Sequence, residues 1–224
     1  MISVIARTLL GIAGALLVAA CATTSSQAPA SWDGLEKRDA KGVDALYVRP
    51  NYKFPHYKKI ILDPCSVSFS KDWDPNSTTP DLSRRLNSDD IQKIKDALAK
   101  LFRERFTREL TEGGYEITDT ASENTLRVTP AIIDLYVNAP DKMAPGISRT
   151  YTTSAGAMTL AMEMRDAPTG ALLARVVDRQ RAMDTGRLQW TNSVTNSADA
   201  QRAIDQWARQ LRAGLDRVNG PNNP

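Results

Sequence analysis

Seven apolar side chains, Ile91, Ile94, Leu98, Leu101, Phe102, Phe106 and Leu110, recur at spacings of three and four residues. Lys, Arg, Asp and Glu fill most of the other side. That period places the seven along one face of a helix. Asn87 or Ser88 is suited to cap its start, and Asp89 and Asp90 then sit at its positive end. Gly113-Gly114 ends it. Burying such side chains is worth about 1.5–3 kcal/mol each before conformational entropy is subtracted. A helix of this kind must lie on something, most simply a sheet. A helix that receives a partner on this face is the alternative, and the core stripe is preferred.

Sheet partners are readable on both sides of the helix. Ile60-Ile61-Leu62 is followed by Asp63-Pro64 and then by Cys65, Val67 and Phe69 alternating with serines. Pro64 marks a bulge or an edge. Tyr115–Thr118 reads as a short strand. Leu126 and Val128 open another, whose apolar phase changes after Pro130 to Ile133, Leu135 and Val137. A one-residue bulge near Pro130-Ala131 accounts for that slip. Met158, Leu160, Met162 and Met164 alternate with Ala157, Thr159, Ala161 and Glu163. Arg165-Asp166-Ala167-Pro168-Thr169-Gly170 is a hairpin turn, and Leu172–Asp178 returns from it. A second helix starts near Asn196 or Ser197. It carries Ala200, Ile204, Trp207, Leu211, Leu215 and Val218 on one face and stops at Gly220-Pro221. The expected fold class is α+β: two layers, a mostly antiparallel sheet of about five strands, and two amphipathic helices on one face.

Ahead of the domain, Arg7 precedes a short apolar run, Leu9–Leu17, and Val18-Ala19-Ala20-Cys21 closes it with small residues. A positive start, a short apolar centre and small residues at a cut describe a secretory signal peptide. The run is too short for a comfortable membrane span, which needs about 20 residues. Val18-Ala19-Ala20-Cys21 resembles the lipobox of bacterial lipoproteins, which implies cleavage between Ala20 and Cys21 and lipidation of Cys21. Alternative readings are an ordinary cleaved signal or an uncleaved anchor. Several acyl chains on one residue hold a protein on a bilayer durably, because each buried CH2 contributes about 0.8 kcal/mol. Ala22 rather than Asp after the cysteine points to the outer membrane, on its periplasmic side. The expected organisation is signal peptide 1–20, lipidated N-terminus and flexible tether 21–43, one α+β domain 44–218 and a disordered tail 219–224. The small polar composition from Ala22 to Ser31 supports the tether. Its reach, on the order of 30 Å, stands the domain off the bilayer. Trp32 and Leu35 are the exceptions, apolar enough to dock on the domain.

Loss of residues 1–20 removes one Arg and no acid, so the formal charge falls from +3 to +2. Opposite charges are interspersed, without a nucleic-acid stripe. His56 is the sole histidine of the chain. It cannot build a two-histidine zinc site or an H-E-x-x-H motif. With Cys21 acylated, Cys65 is the remaining thiol, and alternation assigns it to the core. The nucleophile elbow, the phosphate loop and the dinucleotide fingerprint are missing from the sequence. The chain therefore carries no recognisable catalytic set, metal site or cofactor site.

Trp32-Asp33-Gly34-Leu35, Tyr47-Val48-Arg49-Pro50, Tyr57–Pro64, Leu126-Arg127-Val128, Met164–Ala174 and Trp207–Leu211 together resemble the bacterial lipoprotein family known as domain of unknown function 3313. The resemblance spans roughly Ser31 to Arg217. That family has no agreed activity, so it implies no catalytic residues. The expected function is a non-enzymatic, lipid-anchored interaction module of the cell envelope. Its expected partners are the membrane, through Cys21, and an envelope protein; a homo-oligomer is compatible with this reading, and nucleic acid is not expected. The alternative is a carrier or transport accessory for an apolar ligand, lined by Met158, Leu160, Met162 and Met164.

Overall fold

A computed structural model describes residues 28–77, 82, 85–137, 150–152, 156–181, 189–191 and 193–220. The long helix, α1 (Ser88–Glu112), forms where the periodicity places it. Asn87 and Asp90 make a reciprocal capping box, each side chain accepting from the other's backbone N–H at 2.9 and 3.1 Å. Gly113 closes the helix, and Gly114 follows at a φ of 85° that suits glycine. The second helix, α2 (Ser193–Val218), begins three residues ahead of Asn196.

The strands are β1 (Ser31–Trp32), β2 (Leu35–Arg38), β3 (Ala45–Val48), β4 (Lys59–Leu62), β5 (Ser66–Phe69), β6 (Glu116–Ile117), β7 (Thr125–Val137), β8 (Thr150–Thr152), β9 (Gly156–Asp166), β10 (Leu172–Arg181) and β11 (Gln189–Thr191). Nine of them form one sheet in the order β1-β2-β3-β10-β9-β7-β4-β6, with β5 also on β7; β8 and β11 pair separately. The expectation of about five strands is thus too low. Three of the missed strands, β1, β2 and β3, are two to four residues long, too short for a period to show. Two of these, β1 and β2, fall inside the segment 21–43 read as tether, and Leu35 is fully buried. The ordered domain therefore reaches upstream of residue 44.

The sheet is mostly antiparallel but ends in parallel pairs. Strands β4 and β5 both run parallel to β7, and β6 runs parallel to β4. A helix crossover is the connection parallel neighbours require, and α1 provides it. Strands β4 and β5 are one path broken at Asp63-Pro64-Cys65, and they follow successive stretches of β7: Leu62 lies opposite Val128 and Ser66 opposite Ala131. Pro130, which has no N–H to offer, falls in the gap between them. The register of β7 against β9 runs unbroken through Pro130 and Ala131 and shifts between Ile133 and Tyr136. The bulge is therefore at Asp134, whose φ is 50°, and the inward phase passes from Ile132 to Leu135 rather than changing at Pro130.

Both helices cover the same sheet face. Leu98, Phe102, Phe106 and Leu110 of α1 share one core with Ile204, Trp207, Ala208, Leu211 and Leu215 of α2. Ile60, Leu62, Leu126, Val128 and Ile132 supply that core from the sheet. Side by side, the helices are joined by Arg105 to Asp205 (3.2 Å) and by Arg212 to Glu109 (2.8 Å). Asn219, expected in a disordered tail, instead holds the backbone of Tyr57. Its Oδ1 accepts from Tyr57 N at 3.0 Å and its Nδ2 donates to Tyr57 O at 2.8 Å.

Candidate functional site

Alternation along β9 and β10 divides their side chains between two environments. Met158, Leu160, Met162 and Met164 point to the helices, and all four are buried in the main core. They lie together, as their spacing predicts, and pack under α1 and α2. Ala161 and Glu163 take the opposite face, with Arg175 and Val177 of β10 beside them.

On this helix-free face a second, smaller core gathers Leu35, Ala45, Tyr47 and Leu172. Arg175, 13% exposed, is its polar centre. Its Nη1 donates to Asp33 Oδ2 at 2.5 Å, and its Nε donates to Glu163 Oε1 at 2.8 Å. The guanidinium lies 4.3 Å over the ring of Trp32, and Trp32 meets Tyr47 edge-on at 5.7 Å. Such a cation–ring contact is worth about 0.5–2 kcal/mol. The other carboxylate oxygen of Glu163 accepts from Arg165 at 2.9 Å. Burial alone raises the carboxyl pKa of Glu163, but its bonds to Arg165 and Arg175 outweigh burial and hold it below the usual value. Burial likewise opposes charge on Arg175, yet Asp33 and Glu163 keep it firmly protonated.

This cluster was not foreseen as a unit. One signal for it was present: Asp33-Gly34 between Trp32 and Leu35 is the dipeptide of a two-residue hairpin. Both residues have positive φ, 51° and 76°. The partnership of Asp33 with Arg175, 142 positions later, had no local signal.

The Arg165–Gly170 turn is held by its own side chains. Asp166 Oδ2 accepts from Thr169 N at 3.1 Å and from Thr169 Oγ1 at 2.5 Å, while Gly170 N donates to Asp166 O at 2.8 Å. Gly170 has a φ of 70°. The turn also reaches beyond itself, because Asp166 Oδ1 accepts from Tyr57 Oη at 3.1 Å. Burial first, and then neighbouring Tyr52 and Asp166, push the Tyr57 hydroxyl far above its ordinary pKa. Through Asn219 the network continues to Tyr115, whose hydroxyl donates to Asp216 Oδ1 at 2.7 Å. A second buried carboxylate, Asp178, accepts from Trp207 Nε1 at 2.7 Å and from Asp44 N at 3.1 Å. Both aspartates tie sheet to helix or loop.

Cys65 is a free thiol in the main core. Burial pushes its pKa up to about 12, against a smaller downward pull from the backbone of Ile132. Only thiolate reacts as a nucleophile. Native protein at pH 8 is accordingly expected to leave Cys65 unmodified by Ellman's reagent, with one equivalent released on unfolding in guanidinium. Rapid native labelling would instead mark Cys65 as a reactive or bridging thiol. His56 is exposed. Among the described residues, no group of three or more His, Cys, Asp or Glu side chains is placed to hold a metal. Ala20 and Cys21 lie outside the described residues.

Residues 24–211 match a family described as protein of unknown function, DUF3313. No curated protein matches the sequence. Among solved structures, a minor lipoprotein from Acinetobacter baumannii aligns at 11% identity over 72% of this chain and 94% of its own, with a TM-score of 0.35. A PelC dodecamer from Paraburkholderia phytofirmans aligns at 11% identity over 72% of this chain and 96% of its own, with a TM-score of 0.32. A Xanthomonas campestris protein of family DUF330 aligns at 11% identity over 77% of this chain and 92% of its own, with a TM-score of 0.40.

Proposed function

The chain belongs to the DUF3313 family of proteins of unknown function, and on that premise we propose that it is a lipid-anchored envelope protein whose folded part is a non-enzymatic interaction module. The observation that carries the proposal is Val18-Ala19-Ala20-Cys21 directly after a charged start and a short apolar run. Acylation of Cys21 after removal of residues 1–20 attaches the chain to a bilayer. Ala22 directs it to the periplasmic side of the outer membrane. Among the described residues, no helix is long and apolar enough to cross a membrane.

One feature supports an interaction role over a carrier role, and a second supports it over a catalytic one. The side chains that would line an apolar pocket, Met158, Leu160, Met162 and Met164, are packed under both helices. Admitting a ligand among them requires the helix layer to separate from the sheet. The carboxylates with the most elaborate surroundings, Asp166 and Asp178, have their bonds directed at structural partners.

Metabolic labelling with palmitate and fractionation test the anchor. The native chain is expected to incorporate label and to sediment with membranes; Cys21→Ser is expected to do neither and to be recovered in the soluble fraction. A Cys21→Ser chain that still sediments, or a native chain that takes up no label, overturns the proposal. Affinity purification of the anchored form then identifies the partner. Recovery of a single lipid species without protein favours the carrier.

A further inference from the structure

Side chains, rather than sheet pairing alone, set the point at which the chain joins the folded domain. The carbonyl of Pro29 accepts from Tyr47 Oη at 3.0 Å. Trp32 lies between Tyr47 and Arg175, and Asp33 pairs with Arg175. All of these contacts are on the helix-free face, where Arg175 and Glu163 alternate with neighbours that face the helices. Pro29 is eight residues beyond Cys21. At no more than about 3.6 Å per residue, eight residues span about 29 Å when fully stretched. A domain of about 190 residues has a radius of gyration of about 16 Å, and so is roughly 40 Å across. The leash is shorter than the body it holds.

We infer that the docked segment Pro29–Asp33 orients the domain on its membrane, with the lipid surface against the β1–β2 side and the α1–α2 layer pointing away toward the aqueous compartment. The inference rests on the lipid-anchor reading above. Turning the helix layer to the bilayer would require the leash to run nearly fully stretched past both layers of the domain from its start at the β1 edge of the sheet. The outer face of α1, with Lys100 and Glu104, is therefore the side presented to soluble partners. Trp32, 41% exposed at the point of entry, has the amphipathic ring that suits the headgroup level. Arg175 is a positioning residue in this scheme. If the segment is released, the first anchored residue becomes Leu35, fourteen residues beyond Cys21, and the leash lengthens to about 50 Å.

Energy transfer on vesicles reads the orientation. Full-length acylated protein is placed on phosphatidylethanolamine–phosphatidylglycerol vesicles that carry a headgroup acceptor. A donor dye is attached to Ser31→Cys or to Lys100→Cys, and the unsubstituted chain controls for labelling of Cys65. Transfer from position 31 is expected to exceed transfer from position 100 by about twofold or more, since their heights differ by up to roughly 40 Å. Insertion of twenty Gly/Ser residues after Ser26 leaves the domain untouched and is expected to abolish the difference. Arg175→Ala is expected to reduce it. Equal transfer from the two positions while the protein remains on vesicles overturns the orientation and leaves the anchor standing. A chain that fails to bind vesicles overturns the anchor, and the orientation with it.

Discussion

Replacing Trp207 by alanine is expected to lower the unfolding free energy by about 3–5 kcal/mol, the range for deleting a large aromatic side chain from a core. Trp207 is 1% exposed and is among the largest fully buried side chains of the described residues. Two losses combine at this position. The first is the cavity left between α2 and the sheet. The second is the donor to Asp178: without the indole N–H, Oδ2 of this buried carboxylate keeps, among the described residues, only Gln180, at 2.6 Å. Leaving a charged group short of a partner costs about 1–3 kcal/mol or more by itself. Since domains are stable by about 5–15 kcal/mol, a loss of this size removes a large fraction of the total. Urea unfolding followed by far-ultraviolet circular dichroism measures it, and Trp207→Phe separates the two causes. Phenylalanine retains much of the ring and loses the donor, so it is expected to fall between the native chain and Trp207→Ala. A Trp207→Ala midpoint equal to the native one would mean that α2 is not held by this core.

Asp166→Ala is expected to cost about 1–3 kcal/mol, since it strands the buried Tyr57 hydroxyl and removes the side-chain bonds that hold the exposed Thr169 in the turn. The effect should appear away from the turn. Tyr57 holds Asn219, so amides in the last turn of α2 are expected to exchange faster in the variant. Pro168→Ala, in the same turn but without a described side-chain hydrogen bond, is expected to be much milder. A double-mutant cycle between Asp166→Asn and Tyr57→Phe measures the coupling directly. A coupling near zero would reduce the Arg165–Gly170 motif to a local conformational device and separate it from the docking of α2.

That motif shows how unevenly the molecule could be read in advance. Its hairpin was legible because Asp, Pro and Gly act locally through φ preferences and side-chain-to-backbone bonds. Its bond to Tyr57, 109 positions earlier, was not. Cys65 was legible because period-two alternation continues through Ser66, Val67 and Phe69 regardless of what lies opposite. The bulge was legible as an event and misplaced in position. The apolar pattern near Pro130 allowed it there, whereas the unbroken register through that residue puts it at Asp134.

Periodicity and cap chemistry alone were enough for α1, for the face of α2 and for the longer strands, because each is a property of neighbouring residues and needs no knowledge of the rest. Pairing is different: two- and four-residue strands such as β1, β2 and β3 have too little length for a pattern, and exist because a neighbour offers them an edge. The parallel end of the sheet, the Asp33–Arg175–Glu163 cluster and the docking of Pro29–Asp33 on the face opposite the helices all required the folded chain, since each joins groups whose attraction arises only after folding has brought them within a few ångströms.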